Sequence, residues 1–120
     1  MMIAALLLVG QALPMTPPSD WEPLPHLRLP PSATVPPQFA EFVRNEVREA
    51  RCTLPKENVA LELAVLVGAN GRVRRIVPRA IGCPTVEQFA AGIVLRAARD
   101  AVRPPAVDTW YQTSVALPRP

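Results

Sequence analysis

Histidine is nearly absent from this sequence: there is one, His26, and it stands among prolines. A single imidazole on a flexible stretch has no second ligand for a metal and no partner to orient it as a base, which excludes histidine-centred metal and proton-transfer sites. Glycine is scarce too, with five residues scattered singly and none grouped into a phosphate-cradling loop. The two cysteines, Cys52 and Cys83, lie too far apart for a Cys-x-x-Cys redox or zinc pair. No serine or cysteine has an adjacent base, and the ten carboxylates single out no acid/base couple. The chain is therefore read as a non-enzyme without metal or cofactor.

Lysine is missing apart from Lys56; twelve arginines supply the remaining positive charge and, against ten carboxylates, leave a net charge of +3. That balance is far from the dense basic footprint of a nucleic-acid binder, so no nucleic-acid partner is expected. The arginine bias itself is read as genome composition. Long hydrophobic runs are absent as well. Residues 1–13 are apolar except for Gln11, yet as a helix they would rise only about 20 Å, against roughly 30 Å of hydrocarbon to cross. Their length suits the apolar region of a secretory signal, with Gly10 and Ala12 as small residues two apart for cleavage, although no Lys or Arg precedes them. The expectation is export to a periplasm; a start site further upstream, with a longer apolar segment, would instead give an inner-membrane anchor.

Proline is what the chain has in excess, sixteen residues against a usual share of about 5%. Nine of them fall in residues 14–37. Proline fixes φ and lacks an amide donor, so this stretch makes neither helix nor central strand and favours polyproline II. It is read as an extended linker, on the order of 70 Å long if fully stretched, and both Trp21 and His26 fall within it.

The remainder, residues 38–120, has room for one small domain. Phe39, Phe42, Val43, Val47 and Ala50 recur at helical spacing, with Glu41, Arg44, Arg48, Glu49 and Arg51 on the other side, which predicts a short amphipathic helix. Val59, Leu61, Leu63, Val65 and Val67 then alternate with Ala60, Glu62, Ala64 and Leu66, a strand with one fully apolar face. Asn70-Gly71 predicts a hairpin closed by a type I′ turn, with positive φ at both residues, leading into a second strand over 72–79. Pro78 removes a ladder donor from that strand, which an edge tolerates, and so places the first strand at the centre. Over 84–102, Val86, Phe89, Ala90, Ile93, Val94 and Ala97 share a helix face. Pro84 suits its first position, or Thr85 and Gln88 a capping box, and Pro104-Pro105 end it. In 109–117, Tyr111, Thr113, Val115 and Leu117 give the core face of a third strand, with Trp110, Gln112, Ser114 and Ala116 opposite. The expected fold is α+β, in the order α-β-β-α-β: a small three-stranded antiparallel sheet with two helices on one face.

Cys52 lies just before the first strand and Cys83 just after the second, and a hairpin brings those ends together. A disulfide is geometrically reasonable and an exported compartment permits it. Two buried thiols are a rival reading, and a metal or redox pair lacks the partners. Arg72, Arg74, Arg75 and Arg79 set four positive charges in eight residues beside the turn. They are read either as a contact for an anionic lipid or glycan, with peripheral membrane association, or as a solvated strand face.

The hairpin Ala69-Asn70-Gly71-Arg72-Val73, the run Ile81-Gly82-Cys83-Pro84 that leads into the helix, and Arg99-Asp100-Ala101-Val102-Arg103-Pro104 before the last strand follow in one order. Together they resemble the C-terminal domain of the TonB family of energy transducers, over roughly residues 59–118. The resemblance implies a module that binds an extended segment of an outer-membrane receptor by strand addition. The strand order points to the same surface, because the third strand has a free edge of unpaired amides and carbonyls. The candidate partner-binding residues are Trp110, Tyr111, Gln112, Thr113, Ser114 and Val115. The alternative is a free-standing envelope scaffold or inhibitor unrelated to energy transduction, and a homodimer is left open.

Overall fold

The computed structural model describes residues 15–29, 35–54, 59–99 and 102–118; the apolar leader expected over 1–13 lies outside them. The first helix, α1, is Pro37–Arg48, with proline in its first turn, where the missing N–H has no intrahelical partner to lose. Phe39 and Val43 are buried as their spacing predicts, but Val47 is 42% exposed and Glu46 is 2% exposed in its place. Glu46 follows Phe39 by seven residues and Val43 by three, so it sits on the same stripe of a 3.6-residue period. The helix stops before Ala50. There φ is 57, and Ala50 N–H bonds to Val47 O while Arg51 N–H bonds to Glu46 O, each at 3.0 Å. This is the paired bond pattern of a Schellman C-cap, built on alanine where glycine is usual.

Strands β1 (Ala60–Val67), β2 (Val73–Pro78) and β3 (Thr109–Ala116) form one antiparallel sheet in the order β2-β1-β3. Pro78 closes the β2 ladder opposite Leu63 at the sheet edge, where its missing donor is tolerated. The connecting turn differs from expectation. Gly71 has φ of 83 but Asn70 does not enter positive φ, and Gly71 N–H bonds to Gly68 O and Gly68 N–H to Arg72 O, both at 2.8 Å. The loop is thus a tight turn over Gly68 to Gly71 that ends on a left-handed glycine, not a two-residue type I′ turn. Asn70 Oδ1 accepts from Arg72 N–H at 3.0 Å, which holds its backbone on the ordinary side. The register then slips at Leu66/Val67, where Val67 pairs Val73 and Leu66 pairs Arg75, so Arg74 is bulged out.

Helix α2 is Pro84–Ala98, with Cys83 at the N-cap position and Pro84 first in the helix. The Thr85–Gln88 capping box does not form. Instead the Glu87 carboxylate turns back to accept from Ile81 N–H at 2.8 Å and Cys83 N–H at 3.3 Å, while Thr85 Oγ1 donates to Glu46 across the helix pair.

Both helices cover one face of the sheet. Phe39 and Val43 of α1, Val86, Ala90 and Val94 of α2, and Leu61, Leu63, Val65, Val67 and Val115 of the strands form one core, with Phe89 tilted against Phe39 and Phe42 at 5.3 and 5.0 Å. Cys52 and Cys83 are joined as a disulfide with Cα atoms 5.1 Å apart, across the mouth of the β1–β2 hairpin. The reverse face carries a second cluster of Ala64, Leu66, Trp110 and Trp21. Trp21 comes from the proline-rich stretch: that part of the expected linker lies against the sheet.

Candidate functional site

The register of β3 on β1 pairs Val65 with Tyr111, Leu63 with Thr113 and Leu61 with Val115. Leu117 N–H bonds to Val59 O at 3.0 Å, so by the alternation of an antiparallel ladder Tyr111, Thr113 and Val115 turn their backbone groups inward to β1. Trp110, Gln112, Ser114 and Ala116 turn theirs outward. The six residues singled out from the sequence therefore split by parity: three hold the sheet together, and Trp110, Gln112 and Ser114 form the edge.

That edge is partly occupied. Gln112 N–H bonds to Pro25 O at 2.9 Å and Leu27 N–H bonds to Gln112 O at 2.8 Å, a parallel bridge centred on His26. The Gln112 side chain adds a second hold, its Nε2 donating to the carbonyls of Trp21 (3.0 Å), Glu22 (3.2 Å) and Leu24 (2.7 Å). Trp21 then covers Ala64, Leu66 and Trp110, and the Arg79 guanidinium lies 4.2 Å from its ring centroid while Arg79 Nε donates to Glu62 at 2.6 Å. Leu27, 7% exposed, joins the main core on the other side. Beyond Gln112 the pairing stops, and among the described residues the outward groups of Ser114 and Ala116 have no backbone partner.

One polar atom at this site is left over. Trp110 is 9% exposed and its Nε1 is buried without an acceptor among the described residues, a condition that costs about 1–3 kcal/mol for a desolvated donor.

The four arginines beside the turn have different surroundings. Arg74 pairs with Asp108, which also accepts from Ala69 N–H at 3.0 Å and so ties the turn to the start of β3. Arg79 is engaged by Glu62 and Trp21. Arg75 is exposed opposite Leu66, and Arg72 lines a shallow cleft of about 460 Å³ with Arg99, Leu95 and Val102. Elsewhere, Glu46 is held below the ordinary carboxylate range, first by the Thr85 hydroxyl and then by Arg51 at 2.7 Å, with burial opposing both.

Sequence reasoning missed Trp21, Pro25, Leu27 and Glu46. A signal for Trp21 was present: Ala64, Leu66 and Trp110 give the reverse face an apolar strip that needs a cover, and Trp21 is the one Trp, Phe or Tyr among the prolines. Among the described residues no three His, Cys, Asp or Glu side chains are grouped to hold a metal ion, and no helix is long and apolar enough to cross a membrane. No family model, no curated protein and no solved structure matches this chain.

Proposed function

We propose that this chain is a non-catalytic protein-binding module of the bacterial cell envelope, which takes an extended segment of an outer-membrane receptor along the outer edge of β3. The observation that carries the reading is the state of that edge: Gln112 already accepts a strand, while Ser114 and Ala116 beside it present groups with no backbone partner among the described residues. Edges of this kind recruit strands because each added pair satisfies backbone groups on both sides. The resemblance of the turn, the pre-helix run and the final strand to the TonB C-terminal domain supports an envelope receptor as the source of the segment, and residues 1–13 support export to the periplasm. The Cys52–Cys83 disulfide fits an oxidising compartment.

The test is a titration of fluorescent peptides copied from the periplasmic N-terminal segments of the native host's outer-membrane receptors. Ser114→Pro removes one outward N–H, a change that an edge strand tolerates, so the variant is expected to fold. At least one peptide is expected to bind the wild type and to bind Ser114→Pro at least tenfold more weakly. Equal binding to both proteins would overturn strand addition, and no binding by any receptor peptide would overturn the receptor as partner.

A further inference from the structure

The segment at residues 21–27 is attached to β3 in a way that limits its own hold. A parallel strand paired around Gln112 would extend one step toward the start of β3 by donating an N–H to Trp110 O. The residue at that step is Pro25, which has no N–H. Pro23 removes a further donor, and the chain there turns away instead, with Leu24 N–H bonding to Trp21 O at 3.0 Å. Toward the other end of β3, Leu29 N–H makes no bond to Ser114. Among the described residues the ladder is therefore one bridge long, on a strand eight residues in length. What fixes the segment is side-chain contact: Trp21 over Trp110 and Leu66, and the Gln112 amide on three carbonyls. Even so, the Trp110 indole N–H remains buried with no acceptor among the described residues.

We infer that residues 21–27 are an internal occupant of the partner edge. An incoming extended segment, parallel to β3, poor in proline and carrying an aromatic residue in the place of Trp21, displaces them. This rests on the strand-addition reading above and names what that site must release before it binds. A segment with N–H groups where this chain has Pro23 and Pro25 gains the Trp110 carbonyl, and continues onto Ser114 and Ala116 where the internal one stops. A hydrogen-bond acceptor near its aromatic residue would also satisfy Trp110 Nε1. The prolines thus make the internal strand a weaker ligand than the segment that replaces it.

The experiment uses the full chain with its disulfide intact. The probe is a fluorescent synthetic peptide with the sequence of residues 19–29, titrated against wild type and Trp21→Ala, with a peptide lacking the tryptophan as control. Trp21→Ala weakens the internal occupant but leaves Trp110 and the β3 edge intact, so it is expected to bind the probe at least tenfold more tightly than wild type does, and the control peptide is expected to lose that gain. Equal affinity for the two proteins would overturn the inference. Should Trp21→Ala fail to fold, amide exchange on the wild type decides: Leu27 and Gln112 N–H are expected to exchange at least a hundredfold faster than Val65 and Leu63 N–H, whereas exchange at the core rate would make the segment a permanent strand. A wild-type dimer that Trp21→Ala converts to monomer would overturn it in favour of a second copy as the source of the segment. The probe carries no receptor sequence, so a failed receptor titration leaves this result standing. Receptor binding with equal probe affinity would instead mean that the edge is used without displacement.

Discussion

Left-handed φ at Ala50 closes α1 through two backbone bonds, and a Cβ in that conformation crowds the following carbonyl. Glycine has no such crowding but loses more backbone freedom on folding, so the two effects partly offset. Ala50→Gly is expected to raise stability by about 0.5–1 kcal/mol, read as a higher urea midpoint with an unchanged slope. A lower midpoint would mean that the Ala50 methyl contributes packing that outweighs its strain. The residue scale also explains the misplaced face of α1: hydropathy alone favours Val47 over Glu46, and only the partners Thr85 and Arg51, remote or beyond the helix, make the buried carboxylate tolerable.

Between elements, Glu46 is the polar tie from α1 to α2, and it makes the helix pair sensitive to acid. Its folded-state value lies below the ordinary 4.5, so the unfolded chain binds the proton more tightly than the folded one. The stability it contributes is therefore fully present above about 4.5 and is lost as pH falls through the lower folded value. Relative to Glu46→Gln, whose amide does not titrate, the wild type is expected to lose melting temperature as pH falls from 6 to 3. Parallel melting curves for the two proteins over that range would remove Glu46 from the account. The order of elements was legible because alternation at Leu61, Leu63, Val65 and Val67 and the 3.6-residue spacing from Val86 to Val94 are local. The turn type was not. A Cβ on Gly71 would stand 3.1 Å from Pro104 Cγ, so the loop is shaped by a segment more than thirty residues away.

On the scale of the whole molecule, the same distinction governs the candidate site. The parity of β3 could be read from its sequence, which placed Trp110, Gln112 and Ser114 on one side. Its occupancy could not, because a proline-rich run has the same composition whether it hangs free or docks on Gln112. The disulfide was readable from topology, since a hairpin must return Cys83 toward Cys52. At a sequence separation of 31, the chain-entropy model assigns the bond roughly 3.5–4 kcal/mol. Replacing both cysteines by serine is expected to lower unfolding stability by that order in urea, and a change under about 1 kcal/mol would mean that the reduced chain is already restrained.

The position of that bond also decides how the protein responds to tension. β1 and β2 lie inside the Cys52–Cys83 loop, while residues 21–27, α1, α2 and β3 lie outside it. A chain pulled from its two ends would peel at the outer pieces and then stop, because the loop between the two cysteines cannot pay out, on the order of 100 Å of hidden length. Under load the central hairpin would behave as a knot in a rope, and only a reductant would untie it.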